Sequence, residues 1–182
     1  MKFSQTSLPD VWIITPAVFS DDRGHFFESF NDEAWKAQGF TETFVQDNQS
    51  FSRKGVIRGL HFQRAPHAQG KLVRVISGRV LDVAVDLRSE SPAFGKFELF
   101  ELSAENRRMV YIPEGFAHGF AALEDSVFQY KCTNMYNKTS EGGLRWNDPY
   151  FNISWGVENP IVSEKDQILP TFEEIFKAIP NT

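Results

Sequence analysis

The stretch Lys71-Leu72-Val73-Arg74-Val75-Ile76-Ser77-Gly78-Arg79-Val80-Leu81-Asp82-Val83-Ala84-Val85-Asp86-Leu87 holds two runs of alternating side-chain character divided by one glycine. Successive side chains of a strand point to opposite faces, so each run sorts its residues by parity. In the first run Lys71, Val73 and Val75 fall on one face, and Leu72, Arg74 and Ile76 on the other. In the second, Leu81, Val83, Val85 and Leu87 share a face opposite Asp82, Ala84 and Asp86. Ser77-Gly78 predicts a hairpin turn between the two. Further short strands read over 97–102, 109–112 and 127–132. Many short strands separated by turn signals make a mainly β chain, an antiparallel sandwich or barrel.

Helices are expected only near the ends. Asn31 is placed to cap one, with Asp32 and Glu33 at the positive end of its dipole and Gly39 as its stop. Phe30 and Trp35 sit at the two positions of a hydrophobic staple. Near the carboxyl end, Ser163-Glu164-Lys165-Asp166 has the form of a capping box, and Thr171 with Glu174 forms a second. Phe172, Ile175 and Phe176 then make one apolar stripe, read as packing. No linker, repeat or low-complexity segment divides the 182 residues, so one domain is expected over 1–182.

Hydrophobic residues make up 41% of the chain and aromatics 14%, which excludes a disordered protein. The longest apolar runs are four residues, as in Val11-Trp12-Ile13-Ile14, too short for a membrane helix. No apolar stretch follows Lys2, so no signal peptide is read at the start. A single cysteine, Cys132, cannot form an internal bridge and fits a reducing cytoplasm.

The net charge of −5 argues against a general nucleic-acid binder. It also hides an asymmetry. Between Asn48 and Leu81 there is no carboxylate, but Arg53, Lys54, Arg58, Arg64, Lys71, Arg74 and Arg79 all lie there, with His61 and His67. A solvated basic face is one reading. A compact anion site is the sharper one, since no basic tail extends it into a track for DNA or RNA.

Two segments, Gly55-x5-His61-x-Gln63 and Pro113-x-Gly115-x2-His118, resemble the paired motifs of the cupin superfamily. Metal-binding cupins carry a second histidine where this chain has Gln63, and a carboxylate shortly after it. Two imidazoles without a third good ligand make a poor divalent-metal site, so no metal is expected. Longer blocks narrow the resemblance. They are Asp22-Arg23-Gly24-x-Phe26-x-Glu28, Arg58-Gly59-Leu60-His61-Phe62-Gln63, Gln69-Gly70-Lys71-Leu72-Val73, and Asp82 to Arg88 followed by Ser91-Pro92-x-Phe94-Gly95. Ile112 to Phe120 and Tyr130-Lys131-Cys132-Thr133 complete them. Together, in order and spacing, they resemble the nucleotide-sugar 3,5-epimerases.

The resemblance implies a cupin-type antiparallel jelly roll with short flanking helices, a homodimer, and no cofactor. It implies a dTDP-4-keto-6-deoxy sugar as substrate, inverted at C3 and C5 on the way to rhamnose for surface polysaccharide such as the O-antigen of lipopolysaccharide. The ketone acidifies the hydrogens at those carbons, so the site needs a base on one face, an acid on the other and a cation at the oxyanion. By resemblance, His61 is the base, Asp166 orients it, Lys71 lies at the enolate oxygen and Tyr130 is the acid. Arg23 and Arg58 are implied as diphosphate clamps and Tyr136 as the ring stacked on thymine, with Met135 before it where many relatives have a second aromatic. Phe26, Glu28, Gln46, Asp47, Asn48, His118, Glu141 and Lys165 match positions that contact substrate. Arg58 and His61 have opposite parity, so both can face the site only if the strand bulges, and Gly59 is the place for it. A single-position epimerase, a non-catalytic sugar-nucleotide binder and, more weakly, a metal-dependent oxygenase remain as alternatives.

Overall fold

The structure, a computed structural model, describes residues 1–176. The chain opens with β1 (Lys2–Gln5), β2 (Trp12–Thr15), β3 (Phe19–Asp21), β4 (Gly24–Phe26) and α1 (Asp32–Ala37). The central strands are β5 (Gln46–Ser52), β6 (Val56–Gln63), β7 (Lys71–Ser77), β8 (Arg79–Asp86) and β9 (Phe97–Ser103). There follow β10 (Met109–Ile112), β11 (Phe116–Ala122), β12 (Ser126–Cys132), β13 (Glu141–Gly143) and β14 (Ile161–Val162). The short helices α2 (Glu164–Gln167) and α3 (Phe172–Phe176) come last. No helix among the described residues is long and apolar enough to cross a membrane.

Two six-stranded sheets face each other in a jelly roll. The first runs β1-β2-β10-β7-β12-β5; the second runs β13-β6-β11-β8-β9, with β14 added in parallel on β6. Between them lie Val73, Val75, Val80, Ala84, Phe100, Leu102, Val110, Ile112, Phe120 and Phe128, all buried. The face of β7 with Lys71, Val73 and Val75 points inward. So does the face of β8 that carries Asp82, because the aliphatic face is covered from outside. There Val83 and Val85 pack with Leu144, Phe151, Trp155 and Phe172 of the carboxyl segment.

The Ser77-Gly78 hairpin is not formed. β7 pairs with β10 and β12, whereas β8 pairs with β11 and β9, so the turn carries the chain from one sheet to the other. Gly78 has φ +78°, and a Cβ there would come within 2.3 Å of the Asp125 carbonyl oxygen. The glycine marks a corner between sheets, and the same dipeptide serves either geometry.

The capping residues act as the sequence predicts. Asn31 accepts from the Ala34 N–H, and Phe30 packs on Trp35 at 6.1 Å between ring centroids. Trp35 stacks on Phe40 and meets Tyr111 edge-on, which closes the outer face of the first sheet over Leu72 and Met109. Ser163 accepts from the Asp166 N–H, while Thr171 and Glu174 cap each other. The Phe172, Ile175 and Phe176 stripe packs against the second sheet.

Candidate active site

A cleft opens between the sheets, with an inner part of about 650 Å³ and an outer part of about 300 Å³. Asn48, His61, Lys71 and Tyr130 line both parts. β6 supplies Arg58 and His61, and their shared orientation comes from an irregular register. His118 pairs with His61 and Phe120 with Arg58, so three steps on β6 oppose two on β11. That is the bulge parity demanded, and Gly59 makes it possible. Its φ is +127°, and a Cβ there would lie 2.6 Å from Gly119 Cα.

The bulge also seats the carboxylate behind the imidazole. Asp166 Oδ1 lies 2.7 Å from His61 Nε2, and its Oδ2 accepts from the Gly59 N–H at 3.3 Å. Burial alone would raise the Asp166 carboxyl, but the His61 hydrogen bond and charge, with Gly59 and Ser163, hold it below the ordinary aspartate range. An ionised carboxylate only accepts, so in the neutral ring the proton sits on Nε2, facing Asp166, and the lone pair is on Nδ1.

Across the cleft, β7 and β12 supply Lys71 and Tyr130, with the ammonium 6.0 Å from the ring centroid. Burial lowers the Lys71 ammonium, opposed by Cys132, Asp82 and Glu141. Burial raises the Tyr130 hydroxyl, so it stays protonated and able to donate. His118 Nε2 lies 2.8 Å from Asp82 Oδ2, both side chains being buried, and desolvation lowers the imidazole more than Asp82 raises it. Arg58 is aimed by hydrogen bonds to Ser52 Oγ (3.0 Å) and the Phe51 carbonyl (3.1 Å). Glu141, at the outer part, accepts from the Tyr136 hydroxyl at 3.1 Å and from Lys165 of the inner part at 2.6 Å. The arrangement offers a base on one wall, a proton donor and a cation on the other, and basic groups at the mouth.

The sequence profile of the dTDP-4-dehydrorhamnose 3,5-epimerase family matches residues 5–174. The chain belongs to that family. It is 54% identical over 168 residues to the dTDP-4-dehydrorhamnose 3,5-epimerase of Shigella flexneri, covering 91% of this chain and 93% of that one. The crystal structure of the enzyme from Elizabethkingia anophelis superposes with a TM-score of 0.91 at 50% identity, covering 96% of this chain and 97% of that one. The enzyme from Legionella pneumophila, solved in complex with dTDP-4-keto-L-rhamnose, gives 0.92 at 43% identity and covers 97% and 95%.

Of the residues the epimerase resemblance singled out, His61, Asp166, Lys71, Tyr130, Arg58, Asn48, His118 and Lys165 line the inner part of the cleft. Gln46, Tyr136 and Glu141 line the outer part. Asp47 does not join them. It alternates with Gln46 and Asn48 on β5, so it takes the other face and pairs with Lys131 at 2.9 Å. Arg23, Phe26 and Glu28 line neither part of their own chain's cleft. Arg23 and Phe26 belong to the β3–β4 ribbon, where Phe26 is 66% exposed and Arg23 pairs with Asp21; Glu28 accepts from Asn31 Nδ2. Sequence reading missed Asp82 and Ser52, the partners of His118 and Arg58. Asp82 was detectable as a carboxylate on the face of β8 opposite a wholly aliphatic one.

Proposed function

We propose that this chain is a cofactor-independent epimerase that inverts C3 and C5 of dTDP-4-dehydro-6-deoxy-D-glucose to give dTDP-4-dehydro-L-rhamnose. The observation that carries the reading is the His61–Asp166 pair on one wall with Tyr130 and Lys71 on the other. His61 takes the proton from the carbon beside the ketone, and the electron pair moves onto the carbonyl oxygen, where the Lys71 ammonium stabilises the enolate. Tyr130 then gives a proton to the same carbon from the opposite face. Solvent exchange restores both groups, so the step balances as one proton out and one in. Arg58 and Lys165 fit the diphosphate, and Tyr136 fits the base.

The active protein is a homodimer in this reading. Arg23, Phe26 and Glu28 serve the cleft of a second copy, a reading supported by the exposure of Phe19 and Phe26 on the β3–β4 ribbon. β5, a sheet edge with a neighbour on one side only, is covered in the same assembly. The free, buried Cys132 fits a cytoplasmic enzyme, and the product supplies rhamnose to surface polysaccharide such as O-antigen. Incubating the chain with dTDP-4-keto-6-deoxyglucose in heavy water and reading the product by NMR tests the assignment. Inversion with deuterium at both carbons is expected. Inversion at C3 or C5 alone would make it a single-position epimerase, and no exchange at either would make it a binding protein.

A further inference from the structure

Residues 134–137 carry Met135 and Tyr136 to the rim of the cleft without a strand to hold them. Packing does little to anchor the segment, since Met135 is 59% and Tyr136 56% exposed, although the Tyr136 hydroxyl donates to Glu141 and Asn134 Nδ2 to the Pro66 carbonyl. What holds it is a set of three glutamine amides from three other places in the chain. Gln69 Nε2 donates to the Asn134 carbonyl at 2.7 Å. Gln63 Nε2 donates to the Met135 carbonyl at 3.2 Å, and Gln63 Oε1 accepts from the Asn137 N–H at 2.7 Å. Gln46 Oε1 accepts from the Tyr136 N–H at 2.9 Å. Four consecutive residues thus each have one backbone group fixed by a glutamine amide, and the Met135 N–H also donates to Asn134 Oδ1.

Glutamine suits the task because one planar group both donates and accepts, and backbone groups outside a sheet ladder need partners of both kinds. Gln63 is the centre of the set. It is buried, and its second interaction through Nε2, at 2.6 Å, ties in the His67 carbonyl. His67 in turn meets Asn137 Nδ2 at 3.3 Å and Ser140 Oγ at 2.8 Å, which fastens the following turn. At the position where metal-binding cupins place a histidine, this chain has an amide fully committed to backbone.

We infer that Gln63, with Gln46 and Gln69, is a positioning residue that presents Tyr136 to the nucleotide end of the substrate. The inference rests on the reading of the outer cleft as the nucleotide site. The glutamines act through the backbone of 134–137, and the clip organises a ring whose exposed side chain is otherwise tethered through its hydroxyl to Glu141. Its loss therefore weakens binding and leaves the proton-transfer groups on β6, β7 and β12 in place.

The test uses Gln63→Met, which keeps length and removes the amide, and Gln69→Met at the far end of the clip. Affinity for dTDP is measured by calorimetry, and KM and kcat with the sugar nucleotide. Binding and KM are expected to worsen about tenfold for Gln63→Met and less for Gln69→Met, with kcat at saturation within about threefold of the parent. Unchanged dTDP affinity in both variants would overturn the inference, as would a fall in kcat at constant KM. Should Gln63→Met fail to fold, Gln69→Met decides by the same two criteria. Failure of the parent chain itself to bind dTDP is a different outcome, which removes the nucleotide reading and the inference with it.

Discussion

His61 and Asp166 stand 105 positions apart in sequence and 2.7 Å apart in space. Neither residue is informative by type, because a strand histidine and a helix-start aspartate both have ordinary structural uses. The pairing becomes specific because Ser163 caps α2 through the Asp166 backbone and leaves its carboxylate free to turn toward β6. Burial is the largest influence on Lys71 and lowers its titration from the ordinary 10.5, against the opposing pull of Cys132, Asp82 and Glu141. The ammonium is the useful form at the enolate oxygen, and it is present below the folded-state pKa and lost as pH rises through it. The alkaline limb of kcat/KM should therefore begin before the ordinary lysine range. Lys71→Met should abolish that limb and cost about 10²–10³-fold in rate. A limb unmoved by the substitution would assign the alkaline group elsewhere.

Elements were legible where parity or capping rules bear on them, and less so where two geometries share one signal. The Arg58/His61 conflict predicts the bulge from spacing, and the register of β6 against β11 contains it. Ser77-Gly78 misleads because a tight turn and a corner between sheets both need a residue with positive φ. The inward face of β8 was hidden because its covering layer comes from residues 144–172, far along the chain. That strand ends at Asp86, which is fully buried and accepts from Arg88 Nε and Nη2, the Arg88 N–H and Ser91 Oγ. Burial pushes its carboxyl up, but these donors prevail and hold it below the ordinary 3.8. A carboxyl lowered by folding stabilises above its unfolded pKa, and the contribution fades as pH falls through the folded value. Asp86→Asn should cost about 2 kcal/mol near neutrality, with the gap closing in strong acid. Denaturant titrations at several pH values measure it; a gap independent of pH would show that charge plays no part.

At the scale of the whole molecule, the sandwich itself creates the chemistry. His61 hangs from one sheet and Lys71 and Tyr130 from the other, so in the proposed mechanism a sugar between them meets a base on one face and an acid on the other. In the proposed dimer the site is completed by a second copy, because Arg23 and Phe26 line neither part of the cleft in one chain. If they act on a second copy, Arg23→Ala and His61→Asn chains, each weak alone, should recover activity when mixed and refolded together. One cleft of the mixed dimer then holds both native residues. No gain on mixing would show that Arg23 does not serve the cleft of a second copy.

The most direct test of two-faced proton transfer is deuterium exchange by Tyr130→Phe in heavy water, followed by NMR of the recovered sugar. The substitution keeps the ring and removes the hydroxyl alone. His61 can still form the enolate and return a deuteron to the face it came from. Deuterium should enter with retention of configuration while inverted product falls steeply. Undiminished inversion would contradict the account, as would equal loss of exchange and inversion.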